Sequence, residues 1–229
     1  MSDPIGVRYV DITKTYRQGG QDLSILRGVS FDVAPGEFVA LMGPSGSGKS
    51  SLLNLTGGLD KPTSGHIYVG NSEPAAMTEN QRCNWRLHTV GFIFQRYHLL
   101  NVLTAAENVE VPLLRSKLSS SERKRRVQTA LELVELGDRG TSYPKMLSGG
   151  QEQRVAIART IVNDPALILA DEPTGDLDAT SAESILDILT LLNQQFQKTI
   201  IMVTHDQNAA RYAHRTMHLE KGLFSELRS

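Results

Sequence analysis

Three short runs of the chain are apolar without any alternation: Phe38-Val39-Ala40-Leu41-Met42, Ala166-Leu167-Ile168-Leu169-Ala170 and Ile200-Ile201-Met202-Val203. Strands covered on both faces, as in a parallel sheet, read this way, so each run predicts a buried strand. Elsewhere the apolar residues recur at helical spacing. Val127, Ala130, Leu131 and Val134 form one stripe, and Ile185, Ile188, Leu189 and Leu192 form another. Residues 5–33 instead predict two strands around a turn at Gly19-Gly20, with Val7, Tyr9, Val10 and Ile12 as core positions. Shorter strands are expected over 66–70 and 90–94, the second ending at Gln95.

Helix starts are marked by Ser or Thr followed three residues later by Glu or Gln. Thr78 with Gln81, Thr104 with Glu107, Ser119 with Glu122 and Thr180 with Glu183 fit that pattern. Trp85 is expected as a partly buried anchor on the first of these helices. Residues 96–162 read as mainly helical. Buried strands alternating with amphipathic helices give an α/β fold whose mostly parallel sheet is covered on both faces.

The chemistry centres on Gly43-Pro44-Ser45-Gly46-Ser47-Gly48-Lys49-Ser50, which fits G-x-x-x-x-G-K-[ST] and lies between a predicted strand and a predicted helix. Backbone N–H groups of such a loop point around an anion, and the following helix aims the positive end of its dipole there. Glycines let the backbone approach phosphate oxygens closely. Lys49 supplies a mobile charge for the β- and γ-phosphates, and the Ser50 hydroxyl a ligand for Mg²⁺. The stretch predicts binding of a nucleoside triphosphate.

The other buried strands run into Asp171-Glu172 and His205. If they are parallel to the first, these groups converge at one edge of the sheet. Asp171 then partners Mg²⁺, Glu172 orients or deprotonates a water, His205 reaches a γ-phosphate oxygen, and Gln95 touches metal and water. Tyr16 packs against its neighbours or stacks on a base. The basic run 123–126 is a solvated face or a contact for anionic headgroups or an acidic partner.

Bulk properties narrow the setting. The 229 residues are 40% hydrophobic and 21% charged with a net charge of −1, an ordinary globular composition with no pull toward nucleic acid. One cysteine, Cys83, precludes an intrachain disulfide and suits a reducing compartment. No apolar run is long enough to span a membrane, and the N-terminus lacks signal-peptide character. The expectation is a cytosolic chain, or one held to a membrane by a partner.

Leu147-Ser148-Gly149-Gly150-Gln151, continued by Glu152-Gln153-Arg154, resembles the signature of ABC transporter nucleotide-binding subunits. Tyr16, the phosphate loop, Gln95, this signature, residues 166–172, Gly175-Asp176-Leu177-Asp178 and His205 follow in that family's order. The resemblance implies a P-loop NTPase cassette: an N-terminal antiparallel β subdomain, a sheet core over 1–95 and 163–229, and an inserted helical subdomain over 96–162. It implies Tyr16 as the adenine-stacking aromatic and Ser51 and Asp178 as further nucleotide contacts. It also implies two copies docked head to tail, with Ser148, Gly149, Gly150 and Gln151 of one clamping ATP on the other. A signature that serves its own chain's loop is the alternative.

Gly91-Phe92-Ile93-Phe94-Gln95 and Asn108-Val109-Glu110-Val111-Pro112 resemble the lipoprotein-release and macrolide-export branch, whose members also include ATPases paired with peptide or haem permeases. Gly175 and Asp176 depart from the Ser-Ala of many relatives and leave Asp178 in register. The chain stops without the extra domain seen in some importers, which points to an exporter-type system. The function implied is ATP hydrolysis at the cytoplasmic face of the inner membrane, driving separate permease subunits and involving no nucleic acid. A regulator that transmits mechanical work without transport, and a soluble ATPase acting on ribosomes or DNA, are the other readings.

Overall fold

The structure is a computed structural model describing residues 2–226. The chain opens with a long antiparallel pair, β1 (Val7–Gln18) and β2 (Gln21–Val33). It continues through β3 (Phe38–Met42), α1 (Lys49–Thr56), β4 (Ser64–Val69), α2 (Glu79–Thr89) and β5 (Val90–Phe94). Then come α3 (Ala105–Glu110), α4 (Ser120–Leu133), α5 (Gly149–Ile161), β6 (Leu167–Asp171) and α6 (Ala179–Gln194). The last elements are β7 (Thr199–Val203), α7 (Gln207–Ala210), β8 (Arg215–Glu220) and β9 (Leu223–Glu226). One sheet has the order β2-β1-β4 and is antiparallel. The other has the order β5-β6-β7-β3-β8-β9, parallel except at β9.

Side chains of the parallel strands leave the sheet alternately, which divides the interior in two. Phe38, Ala40, Ile168, Ala170, Ile200 and Met202 face one cluster, shared with α3, α4, α5 and α6. Val39, Leu41, Leu167, Leu169, Ile201 and Val203 face another, shared with α1 and the antiparallel sheet. Both predicted helical stripes are buried in the first cluster. Trp85 packs half-buried on the second. Among the described residues no helix is long and apolar enough to cross a membrane.

Local expectations fail in three places, each for a physical reason. Val10 is 36% exposed rather than core. The register shifts between Tyr9 and Ile12, where Asp11 has φ of 48°, and this bulge turns both Tyr9 and Ile12 inward at the expense of Val10. Asp178, not Thr180, caps α6: its carboxylate accepts from the Ser181 N–H at 2.9 Å and its carbonyl from the Ala182 N–H, so the helix starts earlier with an extra bond. Ser119 caps α4 by accepting from Glu122 N–H, but the Glu122 carboxylate does not close the box, because Arg125 and Arg126 claim it. Those pairs, with Arg123 on Glu110, set all three arginines of the basic run against carboxylates.

Asn108 on α3 is fully buried and holds the segment that leaves β5. Its Oδ1 accepts from Leu100 N–H at 2.8 Å, and its Nδ2 donates to the carbonyls of Leu100, Leu103 and Thr104 at 3.0–3.1 Å. Asn108→Ala removes all four bonds, each worth about 0.5–1.5 kcal/mol, while Leu100 O and Thr104 O keep the N–H groups of Leu103 and residue 108. The expected loss is about 3 kcal/mol of unfolding free energy, read from urea denaturation; a loss below about 0.5 kcal/mol contradicts the assignment.

Candidate functional site

Phe94, Asp171, Val203 and Leu41 pair in one row across β5, β6, β7 and β3. The residues that follow, Gln95, Glu172 and Thr204, therefore leave the sheet along the same edge, beside Met42 at the end of β3. Glu172 N–H donates to Val203 O at 3.0 Å and Thr204 N–H to Leu41 O at 3.1 Å, which carries the pairing past the strand ends.

The glycine loop crests at Pro44, Ser45 and Gly46, all exposed. A Cβ at Gly43 would lie 2.1 Å from Leu219 O, and one at Gly48 2.9 Å from the Ile25 and Leu26 side chains. Contact with the protein itself therefore demands these two glycines, a steric reason additional to close approach of a phosphate. Gly46, with φ of 76°, faces open space. Helix α1 starts at Gly48 with no side-chain cap, whereas α2 to α7 each have one. Its first N–H groups thus have no side-chain acceptor, the arrangement that favours an anion. Ser47 Oγ in the same loop is buried without a partner.

Lys49 is buried, its Nζ donating to the carbonyls of Gly43 at 2.8 Å and Pro44 at 2.9 Å. Burial pulls its pKa down, against the charges of Glu172 and Asp171. Ser50 Oγ donates to Asp171 Oδ1 at 3.0 Å. Burial pushes the Asp171 carboxyl up, the Ser50 hydrogen bond opposes that, and the Glu172 charge adds to it. Glu172 has φ of 49°, a left-handed conformation that costs an ordinary residue about 1–2 kcal/mol. His205 is exposed, its Nδ1 3.2 Å from Glu172 Oε2. Gln95 Nε2 donates to Asp176 Oδ1 at 3.0 Å.

Tyr16 sits beside the start of α1. Its hydroxyl donates to Asp60 Oδ2 at 2.8 Å and is within reach of Ser51, while Lys14 Nζ stands 4.6 Å from the ring centre. Burial, then the Asp60 hydrogen bond, raises the hydroxyl's pKa. The ring is 37% exposed.

Ser148 and Gln151 do not join this cluster. They cap α5 reciprocally: Ser148 Oγ accepts from Gln151 N–H at 3.3 Å and Gln151 Oε1 from Ser148 N–H at 3.0 Å. The S-x-x-Q spacing is visible in the sequence, although its capping role was not read there. Positions for a Cβ on Gly149 and Gly150 lie against Tyr97, Leu177 and Ser181, not against the glycine loop. Asp178 is engaged as the cap of α6.

Two further residues matter to the geometry and were not singled out from sequence. Gln153 is fully buried on α5, its Nε2 donating to Pro173 O at 2.6 Å and Phe94 O at 3.3 Å, so it ties the exits of β5 and β6 together. A glutamine one turn before Ala156 and Ile157, on a buried face, was the available signal. Arg159 donates to the carbonyls of Tyr97 and His98 at 2.8 and 2.7 Å and fixes the chain after Gln95.

The family described as ABC transporter matches residues 26–175. The ABC transporter ATP-binding protein MJ0796 of Methanocaldococcus jannaschii is 44% identical over 220 residues, 94% of each chain. Its solved dimer, a post-hydrolysis state bound to ADP and Pi, matches this fold with a TM-score of 0.89 at 42% identity, over 97% of this chain and 99% of that one. The lipoprotein-releasing system ATP-binding protein LolD of Pseudomonas fluorescens is 44% identical over 212 residues, 93% of each chain. The macrolide export ATP-binding/permease protein MacB of Syntrophobacter fumaroxidans is 45% identical over 215 residues, 93% of this chain and 30% of that protein. Fold, motifs and relatives agree, and the chain belongs to the ABC transporter family as an ATP-binding cassette resembling its lipoprotein-release and macrolide-export members.

Proposed function

We propose that this chain hydrolyses ATP as a head-to-tail pair of identical copies and drives separate membrane permease subunits of an export or lipoprotein-release type. One observation carries the reading: the glycine loop, Asp171, Glu172 and His205 share one sheet edge, while Ser148 and Gly149 are exposed at a helix start that faces other neighbours. A half-site of each kind on one chain is completed by a second copy.

The phosphates of ATP enter the loop 43–48, where the uncapped N–H groups of α1 and Ser47 Oγ bind them. Lys49 exchanges its two carbonyl partners for phosphate oxygens, and Ser51 extends the contact from α1. Tyr16 stacks on the base. Glu172 Oε takes a proton from the attacking water, and His205, 3.2 Å away, orients that carboxylate and reaches the γ-phosphate. Ser148 Oγ keeps its own hydrogen while it caps α5, so it can donate to the partner copy's ATP. Gly149, Gly150 and Gln151 bring the positive end of α5 with it, and Asp178 holds the start of α6 alongside.

The donor set fits Mg²⁺. Ser50 Oγ and Asp171 Oδ1 are hard oxygens beside the phosphate loop, and the described residues hold no group of three His, Cys, Asp or Glu for a metal, so phosphates and water complete the shell. Ser50 and Asp171, with Gln95 as a further ligand, would hold the ion, which would supply charge neutralisation at the phosphates. Residues 96–162, carrying the signature, move as a helical unit against the core 1–95 and 163–229, with Gln95 at the joint. The chain is peripheral, held at the cytoplasmic face by its permease.

Glu172→Gln should slow hydrolysis by about 10²–10⁴-fold while ATP still binds, and the variant should accumulate as a closed dimer with ATP but not with ADP. Solution mass reads this directly; a variant that stays monomeric in saturating ATP contradicts the role of Glu172.

Ser148→Arg and Lys49→Ala should each abolish ATPase activity for different halves of the site. Mixed together they should recover activity that neither shows alone, because one site of the mixed pair is intact. No recovery on mixing argues against a shared site.

In cells the chain should fractionate with the membrane and shift to the soluble fraction when its permease is absent. Membrane association that persists without any candidate permease contradicts the peripheral placement.

A further inference from the structure

The turn after Glu172 brings Gly175 and Asp176 against the Gln95 side chain. A Cβ on Gly175 would lie 3.1 Å from Gln95 Nε2 and 3.4 Å from Glu172 Oε2, so amide and carboxylate flank one point of this turn. Gln95 Nε2 donates to Asp176 Oδ1 at 3.0 Å. An ionised carboxylate accepts hydrogen bonds and donates none, so the contact fixes the amide one way round: nitrogen toward Asp176, oxygen away from it.

The two ends of an amide are chemically opposite. Only the oxygen can ligate a cation or accept a hydrogen bond from water. The nitrogen, released from Asp176, has the Glu172 carboxylate as a near alternative acceptor. A bond there would occupy a lone pair that must take a proton.

We propose that Asp176 is a positioning residue for hydrolysis: it holds the Gln95 amide nitrogen, so that the oxygen is the end presented to the reacting centre and Glu172 stays free of the amide. This rests on the reading of Gln95 as a group that touches the metal and the attacking water. Asp176 is exposed on a loop and supports no buried packing, so its replacement leaves the fold intact.

The test uses the full chain and compares Asp176→Ala, Asp176→Asn, Gln95→Ala and the double variant Asp176→Ala/Gln95→Ala. Asp176→Ala should lower kcat about tenfold, equivalent to about 1.4 kcal/mol. KM for ATP should stay within about twofold, since substrate binding is untouched. Asp176→Asn, which can accept from or donate to the amide, should fall between wild type and Asp176→Ala. The double variant should be no slower than Gln95→Ala, because Asp176 acts only through Gln95. In the nucleotide-free protein the Gln95 side-chain amide resonances should move in Asp176→Ala and move less in Asp176→Asn, with the backbone resonances of β6 unchanged. A slow Gln95→Ala beside a full-speed Asp176→Ala overturns the proposal alone. Additive losses in the double variant, or Gln95 resonances that ignore residue 176, also overturn it. A Gln95→Ala variant at the wild-type rate overturns the reading of Gln95 and the proposal with it.

Discussion

Phe94, Asp171, Val203 and Leu41 are held in one row by the backbone hydrogen bonds of four parallel strands, and the chemistry hangs on that register. A slip of one residue in β6 would reverse the faces to which Asp171 and Glu172 point and exchange the residues of the strand between the two apolar clusters. The apolar clusters on both faces make such a slip costly, because every strand residue has an assigned side. Placement of the polar groups is thus decided by packing well away from them.

Charge at this edge is met by partners within the chain. Lys49 is satisfied by two carbonyls, Asp171 by a serine hydroxyl, and Gln95 by a loop carboxylate. Each of these partners is neutral or displaced from the reaction centre. Burial weakens both the lysine's hold on its proton and the aspartate's release of its own, and in the proposed binding mode substrate phosphates add the charge that Lys49 meets at close range. The left-handed Glu172 belongs to the same economy, since a residue held off its preferred backbone conformation is kept there by the surrounding contacts.

Most of the architecture could be read from the chain because its signals are redundant. Buried parallel strands have no polar alternation to confuse, and the apolar stripes on α4 and α6 are complete. What escaped was decided by competition between near-equal local choices. Val10 lost its core place to a bulge at Asp11, and Thr180 lost the helix cap to Asp178 two residues earlier. Ser119 kept half a capping box because two arginines outbid the backbone for Glu122. At the site, the glycine loop and strand-end polar residues were legible from spacing. Gln153 and Asp176 were not, since their partners, Pro173, Phe94 and Gln95, are joined only by the folded sheet edge.

Helix α1 is the exception among the α-helices described, beginning without a side chain to close its first turn. Its N-cap is Gly48, which costs only a few tenths of a kcal/mol relative to a side-chain cap, and in the proposed binding mode a phosphate group takes the cap's place. In that binding mode the nucleotide is a structural part as well as a substrate. A ligand that binds only the folded state adds stability by mass action, growing with the logarithm of its concentration. On that binding mode, order at the glycine loop depends on how much nucleotide surrounds the protein, and the turn is held most firmly where nucleotide is abundant.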